Sequence, residues 1–225
     1  MVLQQTSGSD SRPMAWPQGK RCAVCLTFDF DAESLWLVKD PGNADRLATL
    51  SQGRYGAKVG LPKILELLRE EALKGTFFTP GWTVDHHPAK VELILRDGHE
   101  LGHHGYAHHW PDPANPAQIL EELDRGLEAM QRHFGVKPAG YRPPGSESCH
   151  TLLELLTQRG FLYDSCFKET STLTATSCAT GRPGRSSCPS IRRSTTGATA
   201  PATCASRSRS SAPITCSASG RTSSR

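Results

Sequence analysis

Apolar blocks of two kinds follow one another along the first 165 residues. Short apolar runs that end at polar residues or glycine are typical of buried strands, whereas apolar positions three and four apart are typical of a helix packed on one face. The predicted strands are residues 21–30, 76–79, 99–104, 137–141 and 161–163, and the predicted helices are residues 61–73, 88–96, 115–133 and 148–159. Residues 31–60, which glycines interrupt, are expected to form a loop.

This alternation predicts the fold class. Strands separated by helices favour an α/β fold with a parallel sheet of βα units, either open or closed into a barrel. In both arrangements the carboxyl ends of the strands gather at one edge, where ligands bind. Asp29, Asp31, His104 and Arg142 all follow predicted strands, so we expect them to lie near one another.

Two carboxylates stand two residues apart at the end of the first predicted strand, in Thr27-Phe28-Asp29-Phe30-Asp31. Residues i and i+2 of an extended chain share a face. One carboxylate could therefore bind a metal ion while its neighbour handles a proton. A solvated acidic loop is the alternative that this pair alone leaves open.

Four histidines occur in the seven residues from His103 to His109. His104 and His108 are four apart, a spacing that places two imidazoles on one side of a helical turn. His103 and His109 offer other pairings, and a surface loop is a further alternative. Two histidines and one carboxylate with open coordination positions suit Zn²⁺, or Co²⁺, Fe²⁺ or Ni²⁺. Such an ion lowers the pKa of water and polarises a carbonyl, and a spare aspartate beside it is a candidate general base.

Arg142 precedes two prolines in a segment that is typical of a rigid turn. Its guanidinium can pair with Asp29 and hold that carboxylate ionised and aimed. An ordinary surface arginine is the alternative reading.

These pieces, in this order, resemble the NodB-homology polysaccharide deacetylases, a carbohydrate esterase family with a distorted (β/α) barrel. The family has a Thr-Phe-Asp strand end with a second acid, a His-x-x-x-His motif and an Arg-x-Pro motif. These are matched at residues 27–31, 104–108 and 142–144, within a resemblance that covers residues 20–165. The inserted Phe30 resembles the branch of peptidoglycan deacetylases and allantoinase-like enzymes.

The resemblance implies a role for each matched residue. Asp29 would be the catalytic base, Arg142 would orient it, and Asp31, His104 and His108 would hold the metal ion. The implied reaction is hydrolysis of a C–N bond other than a peptide bond, most simply removal of N-acetyl groups from amino-sugar polymers or oligomers. An allantoinase-like hydrolase of small amides and a non-catalytic metal- or glycan-binding remnant remain as alternatives.

The sequence departs from the family in two places. Gly145 stands where the family often has an aromatic residue after Arg-x-Pro, so one wall of the sugar subsite is expected to differ. The family's Trp-bearing fourth motif and its general-acid histidine have no counterpart, because no Trp or His occurs after residue 150. We therefore expect the barrel to be incomplete at its C-terminus.

Composition divides the chain near residue 165. The net charge of +4 combines −4 for residues 1–165 (17 basic, 21 acidic) with +8 for residues 166–225 (9 basic, 1 acidic). Ser and Thr make up 25 of the last 60 residues. A segment of this composition cannot bury enough apolar surface to offset the entropy lost on ordering. The predicted segments are a flexible 1–19, a partial deacetylase domain at 20–165 and a disordered, basic, Ser/Thr/Arg-rich tail at 166–225. A shifted reading frame near Ser165 explains the tail, and a natural low-complexity tail is the alternative.

Partners and location follow from what the sequence lacks. Residues 1–20 have no apolar signal core, and no run of about 18 apolar residues could span a bilayer, so we predict a cytoplasmic protein without a membrane partner. The tail lacks the Lys runs and interleaved aromatics of nucleic-acid tails, so no nucleic-acid partner is expected. The expected partner is a carbohydrate or small-amide substrate.

Overall fold

Five parallel strands form the sheet of this protein. The computed structural model describes residues 24–166 and two short strands at 174–176 and 188–190. The sheet order follows the chain, each strand pairing in parallel with the next. Its strands are β1 (Leu26–Asp29), β2 (Gly75–Thr79), β3 (Glu100–His103), β4 (Gly140–Tyr141) and β5 (Tyr163–Asp164). Adding every strand on the same side builds a barrel wall rather than a doubly wound sheet.

The sheet is curled. Neighbouring strands lie about 4.8 Å apart, so β1 and β4 would be about 14 Å apart in a flat sheet. Yet the side chain of Arg142, which follows β4, donates hydrogen bonds to Asp29 and Thr27 of β1 at 2.6 and 2.9 Å. The described strands therefore form a half-barrel, as expected for a distorted (β/α) barrel of the NodB type.

Seven helices of the described residues surround the sheet. They are α1 (Ser34–Lys39), α2 (Leu47–Tyr55), α3 (Leu61–Glu70), α4 (Gly81–His86), α5 (Pro88–Arg96), α6 (Pro116–Phe134) and α7 (His150–Arg159). The four predicted helices correspond to α3, α5, α6 and α7. Helix α6 is capped at both ends: Asn115 accepts a hydrogen bond from the backbone N–H of Gln118 at 3.2 Å, and Gly135 ends the helix at φ 65°.

The prediction that residues 31–60 form a loop is wrong. This segment contains α1, a 3-10 turn at Pro41–Asp45, α2 and a π turn at Gly56–Gly60. Gly53 is inside α2 because the helix packs directly on the chain after β1: a β carbon there would lie 2.7 Å from the carbonyl oxygen of Ala32. The glycine serves close packing and not chain reversal.

Two apolar clusters fill the described core, and α6 contributes to both. The first packs α3, α4 and α5 against β2 and β3 through buried side chains that include Leu65, Phe77, Val84, Ile94 and Leu101, together with Met130 of α6. The second packs α7 against β4 through side chains that include Tyr141, Leu152 and Leu156, together with Leu123 of α6. Helix α6 thereby fixes the position of the strands that carry the candidate site.

Several predictions fall on residues that the structure does not describe. The flexible segment 1–19 lies outside the described residues, as does most of the tail. Within 166–225 the structure describes Cys166 and an antiparallel pair of short strands, β6 (Thr174–Thr176) and β7 (Cys188–Ser190). The disordered tail and the shifted reading frame stay predictions. Across the described part of the chain, no helix is long and apolar enough to cross a membrane.

Helices α4 and α6 touch at Gly81 and Gly126, where a β carbon on Gly81 would lie 2.8 Å from the α carbon of Gly126, and this contact generates the first test. A β carbon on Gly126 would lie 2.8 Å from the carbonyl oxygen of Gly105, a distance that real structures do not tolerate. We expect Gly126→Ala to lower the free energy of unfolding by about 1–3 kcal/mol through overpacking. Gly56→Ala is the matched control, because nothing lies within 4 Å of its β position. Urea unfolding measures both, and an unchanged midpoint for Gly126→Ala would contradict the contact.

Candidate metal centre and active site

The end of β1 presents two carboxylates on one side of the chain. The extended run continues past Asp29, because the N–H of Phe30 donates to the carbonyl of Phe78 in β2 at 2.8 Å. Phe30 is buried in the first core cluster. Since successive residues of an extended chain point to opposite faces, Asp29 and Asp31 face away from that cluster. This agrees with the predicted shared face.

Asp31, His104 and His108 come together at this position. The two carboxylate oxygens of Asp31 lie 3.6 Å from His104 Nε2 and 3.6 Å from His108 Nε2, one oxygen toward each ring. One ligand atom from each of the three residues lies within 4.8 Å of the others. Two imidazoles and a carboxylate that converge on one point form a candidate site for a divalent metal ion.

The hydrogen bonds and charges of these residues fit a divalent metal ion. Asp31 Oδ1 is buried and has no hydrogen-bond partner among the described residues, a costly state that a bound cation would relieve. His104 donates its Nδ1–H to the carbonyl of Arg142 at 2.6 Å, which leaves the Nε2 lone pair for a metal. Burial raises the pKa of Asp31 to about 6 and lowers the pKa of His108 to about 4, so this imidazole is neutral at pH 7.

The two neighbouring histidines have partners elsewhere. In His103, Nε2 lies 3.0 Å from the carbonyl of Leu123 and Nδ1 accepts from the N–H of Gly105 at 3.1 Å, so both ring nitrogens are occupied. Burial lowers the pKa of His103 to about 3, which keeps this core residue neutral. His109 pairs with Glu122 at 2.9 Å and is half exposed. These contacts favour the pairing of His104 with His108 over the alternatives that the sequence left open.

Arg142 contacts both Asp29 and the metal-ligand candidate His104. Its buried guanidinium donates to Asp29 Oδ1 at 2.6 Å, to Thr27 Oγ1 at 2.9 Å and to Ser165 Oγ at 2.9 Å, and lies 4.1 Å from the ring centre of Phe78. Its backbone carbonyl is the acceptor for His104. The predicted pairing of Arg142 with Asp29 is present in the structure, and the surface-arginine alternative is wrong.

Glu122 of α6 organises the loop between the two histidines, and sequence reasoning missed it. Its buried carboxylate accepts from the backbone N–H groups of Tyr106 at 2.8 Å and Ala107 at 2.9 Å. The loop needs this support because Gly105 and His108 adopt left-handed backbone angles, with φ 73° and 68°. An acid on the buried face of the α6 pattern was the signal that could have revealed it.

The chain matches the family model described as polysaccharide deacetylase over residues 46–163. It belongs to the polysaccharide deacetylase family. It is 32% identical over 145 residues to a peptidoglycan deacetylase of Helicobacter pylori, covering 64% of this chain and 49% of that protein. It is 30% identical over 156 residues to the peptidoglycan deacetylase-like protein FGM2 of Gibberella zeae, covering 68% and 46%. This deacetylase-family chain thus spans about half the length of these curated relatives.

Solved structures agree with this membership. A Mycobacterium smegmatis protein assigned as a polysaccharide deacetylase is 40% identical, with a TM-score of 0.72 over 81% of this chain and 62% of that chain. Puue allantoinase is 20% identical with a TM-score of 0.66, over 84% of this chain and 67% of that one. The second likeness concerns the fold alone.

Metal content tests the ligand assignment in this deacetylase-family chain. We expect the full chain to hold one divalent ion, and His104→Ala or His108→Ala to abolish stoichiometric binding because each removes one of three converging donors. His109→Ala is the control, since its ring faces Glu122, and should keep the ion. Elemental analysis after dialysis gives the stoichiometry. Full metal content in both ligand variants would contradict the assignment.

A second test concerns the support of the histidine loop. Glu122→Ala removes the oxygen that accepts from two backbone N–H groups, which leaves both donors unmatched, so we expect metal affinity to fall by about 10–100-fold. The adjacent Glu121 is exposed and pairs with Arg125 at 2.9 Å, which makes Glu121→Ala a matched control. Competition with a chelating dye gives the dissociation constants. Equal affinities for the two variants would show that Glu122 does not position the ligands.

Proposed function

We propose that this chain is a metal-dependent hydrolase that removes N-acetyl groups from amino-sugar polymers or oligomers, with zinc as its ion. The observation that carries the proposal is the Asp31–His104–His108 triad placed beside the Asp29–Arg142 pair. A metal site with open positions and an adjacent carboxylate has the parts needed for amide hydrolysis. Membership of the polysaccharide deacetylase family, and relatives named peptidoglycan deacetylases, support the same substrate class.

A zinc ion, when bound, supplies a Lewis acid for the amide carbonyl and lowers the pKa of water. Asp31, His104 and His108 would hold it, with His104 fixed in the required tautomer by the carbonyl of Arg142. His104 and His108 are buried and the side chain of Asp31 is 19% exposed, so the ligands lie below the surface.

Asp29 is the general base in this proposal. Its side chain is 40% exposed, far more than that of Asp31, so a water molecule can reach it. Among the described residues its hydrogen bond from Arg142 goes to Oδ1, which leaves Oδ2 to accept a proton from the attacking water. Arg142 fixes the orientation of this carboxylate and adds a positive charge beside the reacting centre.

Turnover by the metal-loaded full chain tests this proposal. We expect Asp29→Asn to keep the ion and to lower turnover by about 10²–10⁴, the range for a general base. Asp40→Asn is the control, because Asp40 caps the 3-10 turn and pairs with Arg46 at 2.9 Å. Acetate release from chitooligosaccharides is measured in parallel with ammonia and urea release from ureides.

Each outcome of this assay separates the candidate functions. Acetate release that depends on Asp29 supports the deacetylase. Turnover of ureides alone would replace it with a small-amide hydrolase, and metal binding without either activity would make the chain a binding remnant. Loss of the metal ion in Asp29→Asn would instead make Asp29 a ligand.

A further inference from the structure

A large aromatic side chain stands exposed next to the candidate metal centre. Trp110 keeps 59% of its surface in solvent. It follows His108 by two residues, so the two α carbons lie within about 7 Å of each other. An exposed indole at this position is a candidate contact for whatever reaches the metal.

The contact with Gly145 holds one face of this indole. A β carbon on Gly145 would lie 2.7 Å from Nε1 and 2.8 Å from Cζ2 of Trp110, and closer still to Cε2 between them. If this β carbon lay in the ring plane beyond the edge, Nε1 and Cζ2 would both be nearer to it than Cε2. Because Cε2 is the nearest atom, the β carbon lies over the face of the ring. With one face covered and 59% of the residue exposed, the opposite face is open to solvent.

The segments that hold the indole are those that build the candidate site. Gly145 follows Arg142 by three residues, and the carbonyl of Arg142 accepts the hydrogen bond of His104 at 2.6 Å. Pro144 lies against Gly105 of the histidine loop, 3.4 Å from a β carbon built there. The indole is therefore held near the triad by its contact with Gly145 as well as by its place in the chain.

We infer that the open face of Trp110 is a platform on which a pyranose ring of an N-acetylhexosamine oligomer stacks. The inference rests on the proposed function and specifies how that substrate is held. In β-linked N-acetylglucosamine the substituents point outward around the ring, so C–H groups form two apolar faces that suit an aromatic surface. In this arrangement the acetamide at the ring edge would be directed toward the metal centre. A small ureide has no such face and gains nothing from the platform.

Equilibrium binding to the metal-loaded full chain tests the platform without turnover. The probe is tetra-N-acetylchitotetraose, titrated calorimetrically into wild type, Trp110→Ala, Trp110→Phe and Leu67→Ala. We expect Trp110→Ala to weaken binding by about 10–100-fold and Trp110→Phe to weaken it less, because a ring remains. Leu67 on α3 is 56% exposed and serves as a matched apolar surface control with unchanged affinity. Metal content should be one ion per chain in all four.

Tryptophan emission adds a readout that a purely structural role would not move. Saturating chitotetraose should shift the emission of wild type, and Trp110→Phe should lose that shift although it still binds sugar. Equal affinity and equal KM for acetate release in wild type and Trp110→Ala would overturn the platform and leave the proposed function standing. If metal-loaded wild type neither binds the tetramer nor releases acetate, the proposed function itself fails, and the platform with it. A dimer that Trp110→Ala separates, with sugar affinity unchanged, would make the indole a subunit contact and also overturn the inference.

Discussion

The buried charge of Arg142 is the constraint on which the geometry of both sheet and site depends. A buried guanidinium is costly unless its donors are matched by acceptors. Here the acceptors are supplied by Asp29 and Thr27 on β1 and by Ser165 just after β5, the two edges of the described sheet. These edges can meet at one side chain only if the sheet curls. The hydrogen bonds of Arg142 that join the two edges of the sheet also orient the candidate base Asp29, so the same contacts stabilise the curled sheet and the site.

A second buried charge, Glu122, supports the loop between His104 and His108. Glu122 matches the free N–H groups of a loop whose left-handed residues leave them without secondary-structure partners. Arg142 and Glu122 come from different elements, and neither is a proposed metal ligand. Each nevertheless supports one part of the ligand set: Arg142 supports His104 through its carbonyl, and Glu122 supports the backbone that leads to His108. Removing Arg142 or Glu122 would leave the groups that it hydrogen-bonds without a partner inside the protein.

Two features of the sequence allowed prediction: the local periodicity of apolar residues and the polar residues that follow the predicted strands. The alternation of runs indicated parallel strands, and the placement of Asp29, Asp31, His104 and Arg142 after strands indicated a shared edge, which the structure bears out. Spacing alone could not choose between the four histidines, because the choice depends on which atoms face each ring after folding; only the family resemblance pointed to His104 and His108. The loop prediction for residues 31–60 failed for a related reason. Gly53 is required by its close contact with Ala32, which is distant in sequence, and not by its neighbours in the chain. The contact between Trp110 and Gly145 joins segments 35 residues apart, beyond the reach of any local pattern.

Exposure increases from the proposed metal ligands to the proposed base and the indole. His104 is almost fully buried, the side chain of Asp31 is 19% exposed, that of Asp29 is 40% exposed, and Trp110 is 59% exposed. The groups proposed to hold the ion lie deepest, where low dielectric strengthens their interaction with a cation. The groups proposed to meet water and sugar lie outermost. A site that enclosed its substrate would bury all four groups alike. This one leaves the proposed base and the indole accessible together, which suits the oligomeric substrate that we propose.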